Sequence, residues 1–169
     1  QRLLRTPLGA LALARVQAEL AVPEGAALPM GVRVAHAQAW TALAEWSEAA
    51  QVDGRAVEAA LREADMVLVP LRAEDGPRPS FAALGAERGG ARGQGLGVLW
   101  PGASGPVIGV PRPVAEGPAA EAAAVLARSL DARAVVVAER DEGPRMAGDD
   151  RYARALAELA PDGYLELRA

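Results

Sequence analysis

Apolar residues in this chain alternate in some stretches, recur at helical spacing in others, and form two unbroken runs. Between residues 15 and 22, Val16, Ala18, Leu20 and Val22 fall on alternate positions, a period that predicts a strand with one buried face. Helical spacing of Leu4, Leu8 and Leu11 and the abundance of Ala give the competing reading. Pro23-Glu24-Gly25 ends the segment, and Val32-Arg33-Val34-Ala35 reads as a second short strand closing at His36. Residues 37–50 place Trp40, Leu43, Ala44 and Trp46 in an Ala/Glu-rich helix. The two tryptophans are spaced to point in different directions, one into the core and the other partly exposed, with core packing the ordinary reading for both. Asp53 is placed to cap a helix running to about Ala64, with Val57 and Leu61 on one face. Met66-Val67-Leu68-Val69 and Ala134-Val135-Val136-Val137-Ala138 are the unbroken runs, expected as neighbouring central strands buried on both faces.

Residues 73–94 change character. Gly76, Pro77, Pro79, Gly85, Gly89, Gly90 and Gly93 predict a mobile Gly/Pro-rich loop, with a turn of helix at 81–84. Leu96–Trp100 and Pro106–Val110 flank Pro101-Gly102-Ala103-Ser104-Gly105 and read as a β-hairpin near residues 95–112. A helix over 116–130, the strand at 134–138, a helix capped by Asp149 or Asp150 and a strand at 164–167 complete the chain. Strand, helix, strand, helix, strand implies crossovers between parallel neighbours. The predicted fold is thus a single α/β domain over 1–169, a mixed, mostly parallel sheet covered by helices.

Composition narrows the chemistry more than the fold. The chain has 169 residues, 51% of them hydrophobic, enough for a core. It has no Cys, no Lys and one His, and all 18 basic residues are Arg. Thiolate chemistry, Cys-based metal sites, Schiff bases and a P-loop lysine are closed to it, as is any two-His metal motif. The Ala- and Arg-rich bias suggests a high-GC bacterial source. A net charge of −4, with Arg interleaved among acids, argues against nucleic acid as a partner. No apolar run of roughly 18 uncharged residues occurs, so a soluble chain without a membrane span is expected. The first residue is Gln1 rather than Met, which suggests processing and leaves both cytoplasm and export open.

Candidate chemistry gathers where the predicted strands end, since open α/β sheets take ligands beyond their strands' carboxyl ends. His36, Glu116, Asp141 and Glu142 are the candidate acid–base groups. Arg112 and Arg145 are the candidate anion clamp, because a guanidinium meets a carboxylate or phosphate through two hydrogen bonds. No cofactor is required. If a metal binds, Asp141, Asp149 and Asp150 are its oxygen donors and a hard cation such as magnesium is the match. Ser104 reads as a turn serine, and Gly93-Gln94-Gly95-Leu96-Gly97 precedes a strand, unlike a dinucleotide fingerprint. A solvated loop is the ordinary reading of the charged run after 138, and a core position that of His36.

Three functional classes follow. A non-catalytic α/β binding or assembly module with an enzyme-like layout fits best, with a protein or an anionic small molecule as partner. A hydrolase with a carboxylate-based, metal-assisted site acting on an anionic small molecule or peptide is the alternative. A structural domain of a larger assembly is the third.

Overall fold

Thr6 and Pro7 start the first helix. The Thr6 hydroxyl accepts a hydrogen bond from the Gly9 backbone N–H at 3.1 Å, and Pro7 fills the first helical position, where its missing N–H costs nothing. The computed structural model describes residues 6–20, 30–50, 53–72, 78–85, 96–111, 118–138 and 151–168. Helix α1 spans Pro7–Leu20. The strand expected over 15–22 is therefore corrected to helix as far as Leu20, and residues 21 and 22 lie outside the described residues. In a stretch so rich in Ala and Leu, a period of two and a period of 3.6 are satisfied together. The cap then decides.

Helix α2, Met30–Glu48, also absorbs the strand expected at 32–35. Two valines at alternate positions are too weak a signal against the helix formers that follow them. His36 thus sits inside a helix, not at a strand end. Both Trp40 and Trp46 are buried, as the core-packing reading expects, and neither ring is partly exposed. The helix lies between the sheet and two neighbours, so two of its flanks are covered. Helix α3, Arg55–Glu63, buries Val57 and Leu61. Its N-cap is Gly54, not Asp53 as expected, and the Arg55 N–H donates to the Asp53 carboxylate one residue earlier at 3.0 Å. Asp53→Ala should lower stability by roughly 0.5–1 kcal/mol in urea unfolding, the usual worth of an exposed capping bond.

Among the described residues six strands follow: β1 (Met66–Leu71), β2 (Ser80–Gly85), β3 (Leu96–Leu99), β4 (Val107–Val110), β5 (Ala134–Val137) and β6 (Leu165–Glu166). Helix α4, Ala119–Leu130, joins β4 to β5, and α5, Arg151–Leu159, lies between β5 and β6. The sheet order is β1-β2-β3-β5-β4-β6. β1, β2, β3 and β5 pair antiparallel in turn, while β5, β4 and β6 pair parallel. Four strands, β2, β4, β5 and β6, run one way and two run against them. The expected α/β fold with a mixed sheet is present.

Three local expectations are corrected. β3 and β4 do not form a hairpin, because β5 lies between them. Their connection is held open by the start of β5: Trp100 N–H donates to the Arg133 carbonyl at 2.9 Å, and Arg133 N–H donates to that of Pro106 at 3.0 Å. The gap is about 9.6 Å, two strand spacings. Second, residues 80–85 are not loop but strand β2, interior to the sheet, with Ala82 and Ala83 fully buried. Residues 73–77 and 86–94 of the expected mobile loop lie outside the described residues. Third, β1 is an edge strand, not a central one; Val67 is exposed, and Pro70, which cannot donate a ladder bond, suits an edge.

Helices α2, α3 and α5 cover one face, over Phe81, Ala83, Leu99, Val107, Ala134 and Val136. α1 and α4 cover the other, over Ala82, Val98, Ile108, Val110, Val135 and Val137. A run of buried alanines, among them Ala120, Ala123 and Ala127, forms the packing side of α4. On the first face, Ala83, Gly97, Val136 and Gly109 stand in register across four strands. Aromatic rings fill the room above the two glycines. A Cβ at Gly97 would lie 2.8 Å from the Trp40 indole, and one at Gly109 would run into the Tyr152 hydroxyl.

Candidate functional site

The carboxyl ends of the parallel strands lie side by side. Val110 faces Val137 in register, and the Ala138 N–H donates to the Val110 carbonyl at 3.0 Å. The Leu167 N–H continues the row by donating to the Gly109 carbonyl at 2.8 Å. From these neighbouring ends the chain leaves toward opposite faces, β4 leading to α4 and β5 to α5. Such a divergence is the switch point at which α/β sheets open a crevice. From these ends the chain continues into residues 112–117 and 139–150, which lie outside the described residues. β2 ends and β3 begins at this same end of the sheet.

Seven of the eight candidate side chains belong to those segments. Arg112, Glu116, Asp141, Glu142, Arg145, Asp149 and Asp150 lie outside the described residues. Their anchors, Pro111, Pro118, Ala138 and Arg151, belong to the strand ends and helix starts just described. Among the described residues no group of three or more His, Asp or Glu side chains is placed to hold a metal.

His36 is the one described candidate. It is only 2% exposed. One turn separates it from Trp40 on the same helical face. The far end of α2, at Ser47 and Glu48, lies beside Val107 and Ala134, the amino ends of β4 and β5. The turn from Trp40 back to His36 therefore runs toward the strands' carboxyl ends. His36 is therefore displaced toward the carboxyl ends of these strands, carried there by a helix. The Thr41 hydroxyl, five residues on, donates to Glu158 of α5 at 3.0 Å and ties the two helices together.

Sequence reasoning missed Tyr152. It stands in the first turn of α5, directly after the acid-rich segment, 4% exposed, with its ring over Gly109 of β4. The helical spacing of Tyr152, Ala155, Leu156 and Leu159 carried that signal. Among the described residues, one hollow of about 170 Å³ lies at the amino ends of β4 and β5, lined by Ser47, Glu48 and Arg133, and a larger one lies beside β1 and α3. Ser104 is exposed in the turn before β4, and its N–H donates to Asp131 at 3.4 Å, a structural contact.

Comparison with known protein families, with curated proteins and with solved structures finds no match to this chain. Among the described residues no helix is long and apolar enough to cross a membrane.

Proposed function

We propose that this chain is a non-catalytic α/β binding or assembly module whose ligand is an anionic small molecule held at the carboxyl ends of β4 and β5. The observation that carries the reading is the switch point, where Val110 and Val137 end side by side and their chains part to opposite faces. Arg112 follows one of these ends by two residues, and Arg145 belongs to the connection that leaves the other. Arg is the only fixed cation in the chain, and its planar fork suits carboxylate and phosphate. Catalysis is disfavoured by composition: without Cys or Lys and with a single His, few nucleophiles, bases or metal ligands are at hand.

A hydrolase with a carboxylate-based site is the second reading. Glu139, Asp141, Glu142, Asp149 and Asp150 all lie in the connection from β5 to α5. A magnesium ion bound there would reverse the sign of the site. Titration calorimetry against a panel of carboxylates and phosphates, with and without magnesium, separates the two. The module reading expects magnesium-independent binding that Arg145→Ala weakens by roughly 1.5–3 kcal/mol, the worth of a charge-assisted hydrogen bond. Binding seen only with magnesium, accompanied by turnover, supports the hydrolase. No binding in either condition, or binding indifferent to Arg145→Ala, removes this ligand site.

A further inference from the structure

The hollow of about 170 Å³ lies at the opposite end of the sheet from the switch point. Its walls are apolar where the core reaches it, at Ala44 of α2, Val107 of β4 and Leu159 of α5. Its polar lining has two poles. Ser47 and Glu48 belong to the last turn of α2, and Arg133 directly precedes β5. Arg133 is anchored, because its Nε–H donates to the Gly105 carbonyl at 2.9 Å. The two terminal nitrogens of the fork are left for other acceptors. Among the described residues neither Arg133 nor Glu48 makes an ion pair, although both line this one hollow.

The walls are fixed to one another. The Ser47 carbonyl accepts the N–H of Ala50 at 3.2 Å and that of Gly102 at 3.1 Å, which ties the end of α2 to the turn before β4. Gly102, at a φ of +80°, brings that turn so close that an added Cβ would lie 3.1 Å from the Ala50 Cβ. The Ser47 side chain stands one turn beyond the buried Leu43 and is only 8% exposed. Its hydroxyl has no hydrogen-bond partner among the described residues.

We propose that this hollow binds a small aliphatic α-amino acid, its carboxylate on Arg133, its ammonium on Glu48 and its side chain against Val107 and Leu159. The two unpaired poles carry the assignment. A helix ends in partial negative charge, and α2 has no basic residue in its last turn to offset it. Glu48 adds a full negative charge at the same place. A purely anionic ligand would be repelled by that pole, and a purely cationic one by Arg133. A zwitterion satisfies both. The Ser47 hydroxyl can donate to the carboxylate or accept from the ammonium. Sites for drug-sized ligands begin at roughly 300 Å³, so the smaller volume here suits a ligand of amino-acid size. This inference is independent of the anion site, which lies at the other ends of the strands.

Titration calorimetry with L-valine tests it, beside isovalerate, which lacks the ammonium, and isobutylamine, which lacks the carboxylate. Valine should bind with a millimolar or tighter Kd. Each truncated compound should bind about tenfold to a hundredfold more weakly, the worth of a charge-assisted hydrogen bond. Glu48→Gln, at an exposed helix end, should weaken valine by about tenfold or more and strengthen isovalerate, since it removes an attraction for the first and a repulsion for the second. Arg133→Gln should weaken valine and isovalerate together. Arg145→Ala should leave valine binding unchanged, which separates this hollow from the strands' carboxyl ends. Far-ultraviolet circular dichroism checks that each variant stays folded. No binding of valine overturns the proposal. So does isovalerate binding as tightly as valine, or a valine affinity indifferent to Glu48→Gln.

Discussion

Replacing Trp46 with Ala should lower the stability of the chain by about 3–5 kcal/mol, the range for deleting a large buried aromatic. Trp46 does three things at once. Its ring meets Phe81 of β2 edge to face, with centroids 4.9 Å apart and planes at 79°. Its indole N–H donates to the Asp53 carbonyl at 3.0 Å, fixing the chain between α2 and α3. Its burial closes the α2 side of the core next to β2. Trp46→Phe separates these roles. Phenylalanine keeps an aromatic partner for Phe81 but leaves the Asp53 carbonyl without its donor. A loss of about 1–2 kcal/mol is expected for that variant, the net worth of a hydrogen bond plus a small void. Chemical denaturation of both variants measures the difference. Equal losses would mean that the hydrogen bond, not the packing, dominates.

The placement of Trp46 also shows what the sequence could reveal and what it could not. The second half of the chain was legible because each signal there agrees with the next. Unbroken valines at 135–137 form a fully buried central strand, and Ala-rich and Tyr/Leu-patterned segments beside it form helices. Before α4, local signals conflict. Ala82 and Ala83 favour helix by propensity, yet pairing with both β1 and β3 makes them sheet. Their small size is what lets helices pack closely on both faces there. Met66–Leu71 is apolar enough to be central, but among the described residues only β2 pairs with it, and Pro70 marked the edge. β3 and β4 resemble a hairpin because insertion of β5 between them is a non-local event that no adjacent residue records. The β4–α4–β5 crossover was legible from strand and helix order, whereas the divergence of the chain to opposite faces depends on the β5-β4-β6 order, which no adjacent residue records. Which face His36 approaches from was not legible, because it depends on the direction of α2.

Gly109→Ala should destabilise the chain by roughly 1–3 kcal/mol, the range for forcing extra volume into a packed core. One added methyl at this position points at three atoms of α5. It meets the Tyr152 hydroxyl, lies 3.1 Å from the phenol carbon that bears it, and 3.3 Å from a Leu156 methyl. Relief is difficult because Tyr152 and Leu156 are themselves buried and sit on a helix packed against β4, β5 and α2. The backbone cannot yield easily either: Gly109 pairs with Val136 on one side and Glu166 on the other. The hydroxyl makes the closest approach, so removing it should restore part of the loss. Tyr152→Phe in the Gly109→Ala background is expected to recover about 0.5–1.5 kcal/mol relative to the sum of the single effects, a coupling typical of residues in contact. A double-mutant cycle by urea denaturation measures it. Gly97→Ala is the internal comparison, since its methyl would meet the Trp40 ring, which no change at Tyr152 relieves. Tyr152→Phe should therefore rescue Gly109→Ala and leave the Gly97→Ala loss unchanged. Equal rescue of both would mean that the phenylalanine stabilises the layer generally, and that the contact over Gly109 is not what sets the ring's place.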